Sequence, residues 1–209
     1  MKTDSWKQLI SAFDTEAGAV SLMGEFAGGH RDAFDKVVSV LAHTPRIGAS
    51  GCGHTGIACR HFAHLMCCIE RPARFIPPSE AVHGAAGFLQ KGDAMLLASR
   101  GGKTSELIPI LNICKRRNVT VIGFTENPDS VLAKDADIFL PLKITKEVDK
   151  YNTQGTTSFV VMCAVFDAIQ AALIEETDFH TDTFSIVHPG GAVGERLGKE
   201  KSLGKRGLV

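Results

Sequence analysis

The chain has 209 residues, and its 23 lysines and arginines balance its 23 aspartates and glutamates. Nucleic-acid binders and polybasic membrane-surface proteins need an excess of positive charge, so we expect neither kind of partner. The length suits one structural domain, and an apolar content of 44% is enough for a full core.

Neither a signal peptide nor an unbroken apolar run of about 18 residues is apparent, so we expect no membrane span and a cytoplasmic location. The six cysteines include no C-x-x-C pair. They are therefore expected to be free thiols.

Residues 1–44 carry apolar side chains at helical spacing, interrupted at Gly28 and Gly29, which predicts an N-terminal helical arm. Short apolar runs then alternate with helical patterns. The predicted strands are residues 45–50, 73–78, 93–99, 119–125 and 137–142. The predicted helices after the arm are residues 55–70, 104–118, 129–136 and 156–176.

Apolar strands that alternate with helices predict an α/β fold, in which helices cover both faces of a five-stranded parallel sheet. We expect this three-layer sandwich to occupy residues 45–197 and to form one structural domain with the arm. The tail, residues 198–209, is basic and Gly-rich and is expected to be loose.

The first Gly-rich segment, residues 48–56, follows a predicted strand and contains G-x-G-x-x-G at Gly51, Gly53 and Gly56. A dinucleotide site also needs an acidic residue at the end of the second strand, where this chain has Ile-Pro-Pro, so NAD binding is disfavoured. Backbone amides at a helix start still suit an anion.

The second Gly-rich segment, residues 98–106, is not a P-loop, because Leu97 stands where that motif needs glycine. Ser99, Lys103 and Thr104 nevertheless supply two hydroxyls and a cation at a helix start, which suits a single phosphate. The alternative is a plain turn in which Thr104 caps the helix. Two such loops at the carboxyl edge of one sheet favour a ligand site.

Three further segments carry polar residues, and the first two of them have two interpretations each. Glu80 and His83 are three positions apart and are expected to share a helix face; the alternative is a solvated acid and a structural histidine. Residues 156–158 offer hydroxyls and amides to a ligand, or simply cap the last helix. His188 precedes Pro-Gly-Gly and is expected in a loop.

Metal binding is disfavoured, and no cofactor is expected. His61, His64 and Cys68 would share a face of the helix at 55–70, but their spacing matches no zinc pattern. The neighbouring apolar residues favour packing against the core.

Taken in order, several motifs resemble the arabinose-5-phosphate isomerase family of SIS (sugar isomerase) domains. They are PSEAVHG (78–84), S-x-x-G-x-T-x-E (99–106), the stretch 121–142, TTS (156–158) and HPGGAVGERL (188–197). The resemblance covers about Gly48 to Leu197. It implies a flavodoxin-like SIS fold and a homotetramer whose active sites are shared between subunits. Members often carry paired CBS domains after the last motif, and this chain resembles the stand-alone type.

The resemblance further implies that an aldose phosphate and a ketose phosphate are interconverted through a cis-enediol, typically D-arabinose 5-phosphate and D-ribulose 5-phosphate, without a cofactor. The implied catalytic residues are Glu147, His188, His83 and Glu80. The residues expected to bind substrate or phosphate are Ser50, His54, Ser99, Gly101, Gly102, Lys103, Thr104, Thr156, Thr157 and Ser158.

Two departures from the family pattern concern charge. Gly51 and Cys52 stand where the family has Lys and Ser, and Lys103 stands where it has Glu. One hypothesis is that Lys103 takes over the phosphate or enediolate charge. The alternatives are an isomerase for another ketose phosphate and a non-catalytic module that binds a sugar phosphate.

Overall fold

The structure, a computed structural model, describes residues 2–202. Its strands are β1 (Ile47–Ser50), β2 (Ala73–Phe75), β3 (Ala94–Ala98), β4 (Thr120–Thr125) and β5 (Ile138–Pro141). Its α-helices are α1 (Thr3–Gly28), α2 (Arg31–His43), α3 (Gly53–Cys68), α4 (Pro78–Ala81), α5 (Ile108–Arg117), α6 (Val131–Asp135), α7 (Thr157–Glu176), α8 (Thr181–Val187) and α9 (Gly191–Ser202). The predicted interruption of the arm is confirmed between α1 and α2.

The five strands form one parallel sheet in the order β2-β1-β3-β4-β5, which confirms the predicted α/β sandwich. Neighbouring β1 and β3 pair Ile47 with Ala94 and Ser50 with Leu97, so their carboxyl ends lie side by side. The sheet grows outward in opposite directions from β1 and β3. Ligands of open α/β sheets bind in the crevice at such a reversal.

The core divides into two layers because successive strand residues point to opposite faces. On β3, Leu96 and Ala98 face a cluster with α1, α2, α3 and α7, whereas Met95 and Leu97 face a cluster with α5. Every residue of β3 is buried, as expected of a central parallel strand. All six cysteines are free, as predicted.

Helix α7 is the apolar centre of the first layer and packs on α1, α2 and α3. Its mean hydropathy reaches 1.9 over 18 residues, so its length and composition alone would allow it to cross a membrane, which the sequence analysis did not expect. Core helices meet the same criteria. Phe166, Ile169 and Leu173 of α7 are indeed buried in the core.

Two local predictions are wrong. The helix that begins at Pro78 ends at Ala81, so Glu80 and His83 do not share a helix face. It stops because the chain turns into Gly84, whose φ is +108°. The predicted loose tail is helical in its first part, because α9 continues from the preceding motif to Ser202. Residues 203–209 of that tail lie outside the described residues.

Candidate active site

A cleft of about 450 Å³ opens at the carboxyl edge of the sheet, beside the reversal between β1 and β3. Its lining comes from the loop after β1, the first turns of α3, the segment 75–79 and Glu106. A Cβ at Gly56 would lie 2.6 Å from the carbonyl oxygen of Gly51, so glycine lets α3 approach the loop closely. A Cβ at Gly51 would be 3.1 Å from Thr55, so a larger residue there would require a small shift.

The two predicted residues of the first loop have different environments. Ser50 is buried, and its hydroxyl donates to the carbonyl of Ile76 at 2.7 Å, a bond that joins β1 to the chain after β2. His54 is exposed and lies edge-on to Phe159, with ring centroids 6.4 Å apart. The loop is therefore next to the start of α7.

Hydrogen bonds between its own residues stabilise the second predicted loop, which lies between β3 and α5. The hydroxyl oxygens of Ser99 and Thr104 are 2.8 Å apart, and the amide of Gly102 donates to the Ser99 hydroxyl at 3.1 Å. Gly102 has a φ of +66° and is buried, whereas Gly101 and Lys103 are exposed. The Lys103 side chain forms no ion pair or hydrogen bond within the described part of the chain.

Glu147 occupies the loop between β5 and α7, and only 2% of its side chain is exposed. One carboxylate oxygen, Oε1, accepts from Arg100 Nη1 at 2.5 Å. The other, Oε2, accepts from the Ser158 amide at 3.1 Å and the Thr156 hydroxyl at 3.2 Å. The carboxylate thus caps the N-terminus of α7, where a negative charge is favoured.

These contacts determine the ionisation of Glu147. Burial by itself raises the pKa of this carboxyl group. The hydrogen bonds from Ser158 and Thr156 and the positive charge of Arg100 outweigh that effect, so the pKa lies below its usual range. Glu147 is therefore a carboxylate at neutral pH.

The loop that carries Glu147 is fixed by side chains of its own. The Glu147 amide donates to Asn152 Oδ1 at 2.6 Å, and the carboxylate of Asp149 accepts from the amides of residues 151, 153 and 154. Gln8 of α1 donates to the Val148 carbonyl at 2.8 Å. Thr157 is fully buried, and its hydroxyl has no partner among the described residues.

The remaining predicted catalytic residues are not joined to Glu147. Glu80 and His83 are exposed. His188 follows α8 in a loop, as predicted, and its ring stacks on Phe184 with centroids 4.9 Å apart. Among the described residues, no hydrogen bond or ion pair links any of the three to Glu147. The chain brings together Glu147, the second loop and the start of α7.

Arg100, a cation of the second Gly-rich loop, makes a contact with Glu147 that the sequence analysis did not predict. It directly follows Ser99, and its guanidinium binds both Glu126 and Glu147. The available signal was a cation inside a Gly-rich loop at the carboxyl edge. Nothing local in the sequence pairs it with a glutamate 47 positions away.

The protein-family model of the SIS domain matches residues 40–172 of the chain. The chain belongs to the SIS-domain family. It is similar to an arabinose 5-phosphate isomerase, KdsD, of Pseudomonas aeruginosa, with 34% identity in an alignment that covers 81% of this chain and 56% of that protein. The chain thus spans little more than half the length of this curated relative.

Two solved structures resemble the chain along most of its length. A candidate sugar-phosphate isomerase of Listeria monocytogenes is 40% identical with a TM-score of 0.86, and the match covers 91% of this chain and all of that one. A protein of Escherichia coli CFT073 in complex with arabinose 5-phosphate is 28% identical with a TM-score of 0.78, and the match covers 90% of this chain and all of that one.

Proposed function

We propose that this protein is a cytoplasmic phosphosugar isomerase that interconverts an aldose phosphate and a ketose phosphate through a cis-enediol. The observation that carries the proposal is the buried, ionised Glu147 at the start of α7, close to a hydroxyl-rich loop. Relatives named as arabinose 5-phosphate isomerases support the class of reaction. They make D-arabinose 5-phosphate and D-ribulose 5-phosphate the first pair to test.

The reaction moves a proton between two carbons beside a carbonyl group, which requires a base, donors for the developing oxyanion and an anchor for the phosphate. Glu147 is deprotonated and can accept a proton or stabilise a neighbouring cationic acid. Ser99, Thr104 and the backbone of Gly101 and Gly102 are the proposed phosphate anchor. Thr156, Thr157 and Ser158 complete the binding surface.

The proposed assembly is a homotetramer in which His188 reaches the Glu147 site of another subunit. The Nδ1 atom of His188 is buried without a hydrogen-bond partner in the described part of the chain, although buried polar atoms normally have one. The nearby Ile186 and Val187 expose apolar surface, as do Trp6 and Phe13 of α1. His83 and His54, with Glu80, are the proposed groups for ring opening.

The decisive experiment follows proton exchange in deuterated water. The protein is incubated with pentulose and hexulose phosphates, including D-ribulose 5-phosphate, and the products are analysed by proton NMR. Deuterium at C2 of an aldose phosphate identifies both the enediol chemistry and the substrate. If a sugar phosphate binds but none of those tested incorporates deuterium, the result would contradict the isomerase and favour a sugar-phosphate-binding module.

Subunit mixing tests the shared site. Glu147→Gln and His188→Ala proteins are each expected to be nearly inactive. If each site draws the two residues from different subunits, random mixing restores roughly a quarter of the sites. Activity is measured after the two variants are unfolded and refolded together, with each refolded alone as the control. A mixture no more active than its components would contradict a shared site.

Replacement of Lys103 tests the hypothesis that it supplies the missing positive charge. Lys103→Ala should raise KM about tenfold or more, because a phosphate would lose a charge-assisted contact worth about 1.5–3 kcal/mol. Thermal stability should not change, since Lys103 is exposed and makes no side-chain bond within the described residues. Lys91→Ala, an exposed lysine at the opposite edge of the sheet, is the control. Equal values of kcat and KM for the unmodified protein, Lys103→Ala and Lys91→Ala would reject the hypothesis.

A further inference from the structure

Arg100 bridges two glutamates that come from different loops. Its Nε atom binds Glu126 Oε2 at 3.0 Å, and its Nη1 atom binds Glu147 Oε1 at 2.5 Å. About a third of the arginine side chain is exposed, whereas the Glu147 side chain is almost completely buried. The guanidinium therefore lies between a buried carboxylate and the open edge of the sheet.

The backbone holds Arg100 in this position. Its carbonyl oxygen accepts hydrogen bonds from the Thr125 hydroxyl at 2.9 Å and from the Glu126 amide at 3.0 Å. Both donors lie at the end of β4, so the loop after β3 is fixed to the neighbouring strand. These bonds fix the main chain at Arg100, and its planar guanidinium loses less conformational freedom per hydrogen bond than a lysine ammonium would.

We propose that Arg100 is a positioning residue of the proposed isomerase, which holds Glu147 in place and ionised and so determines the pH at which the site loses activity. The proposal rests on the proposed function for its catalytic consequence. The contact itself does not depend on that function, because both partners are side chains of this chain.

The surroundings of Glu147 single out Arg100. From α7 and the residue before it, the carboxylate receives uncharged donors, Ser158 and Thr156. From its own loop, Asn152 touches only its backbone amide. Arg100 is the charged group in contact with the carboxylate among the described residues, and Glu126 reaches it only through Arg100.

Loss of this cation has a predictable sign. A neighbouring positive charge lowers the pKa of a carboxyl group by about 1–3 units, and burial raises it. Without Arg100, the burial effect remains and the attraction disappears, so Glu147 should protonate at higher pH. On the acidic side of a pH–rate profile, a shift of one unit lowers the rate about tenfold.

The kinetic test compares kcat/KM from about pH 4 to pH 9 for the full chain and two variants. Arg100→Gln should move the acidic limb of the profile to higher pH by about one unit or more. Arg100→Lys keeps the positive charge and should therefore show a smaller shift. Arg46→Gln is the matched control, because Arg46 pairs at 3.0 Å with another buried carboxylate, Asp93, at the opposite edge of the sheet. Arg46→Gln should lower the stability of the protein without moving the acidic limb of its pH–rate profile.

A titration without substrate separates this proposal from the proposed function. The carboxyl carbons of glutamate are labelled with ¹³C, and the Glu147 signal is assigned by its absence in Glu147→Gln. Its midpoint should rise in Arg100→Gln and rise less in Arg100→Lys, even if no sugar phosphate is isomerised. An unchanged midpoint in both variants would overturn the proposal, whatever their activity.

Discussion

Gly102→Ala should unfold the loop after β3 and weaken the binding of substrate phosphate more than any other single-methyl change in this loop. The backbone of Gly102 has a φ of +66°, which costs other residues about 1–2 kcal/mol. A Cβ there would also collide with the side chain of Ser130 and lie 2.8 Å from Thr125 Oγ1. Overpacking of this kind costs about 1–3 kcal/mol more.

Neighbouring contacts leave little room for relief of this collision. The Ser130 hydroxyl accepts from the Ala133 amide at the start of α6 and donates to the Asn127 carbonyl. A shift of Ser130 would therefore remove the cap of that helix. The Gly102 carbonyl also accepts from the Leu132 amide, so the loop and α6 would move together.

The measurements are urea unfolding and KM for a sugar phosphate. We expect a loss of stability of about 2–5 kcal/mol, the sum of the strain and overpacking costs. Gly87→Ala is the control, since this glycine lies outside the proposed phosphate loop and a Cβ there meets nothing within 4 Å. Equal stability and KM in both variants would show that the left-handed turn at Gly102 is unimportant.

The sheet could be predicted from the sequence because its signals are local. The central strands are short apolar runs bounded by polar or charged residues, as in the segments around Met95 and Ile122. The end of α4 could not be predicted this way. It depends on the turn at Gly84, and the pattern of Glu80 and His83 fits a longer helix equally well.

The site was predictable only in part. The two Gly-rich loops are visible as strand-to-helix turns, but Glu147 was assigned by resemblance, since nothing around it in the sequence marks it. Its environment arises from Arg100 and Ser158, which lie 47 and 11 positions away and meet it only in the folded chain.

Glu147→Gln is the second prediction with a large expected effect. Removal of a positioned acid–base group costs about 10²–10⁴ in rate, and the amide cannot accept the proton. The loss should appear in kcat, because the proposed phosphate contacts in the loop after β3 remain. Stability should fall by about 1–3 kcal/mol, since Arg100 and the Ser158 amide lose a charged acceptor.

Asp93→Asn distinguishes lost chemistry from lost packing. Asp93 is as buried as Glu147, pairs with an arginine at 3.0 Å and accepts from the Gln90 amide, but it lies before β3 at the amino edge of the sheet. The two variants should therefore lose similar stability, while only Glu147→Gln loses turnover. If both kept kcat while KM rose only in Glu147→Gln, the carboxylate would serve to organise the start of α7 for substrate binding, and another group would have to move the proton.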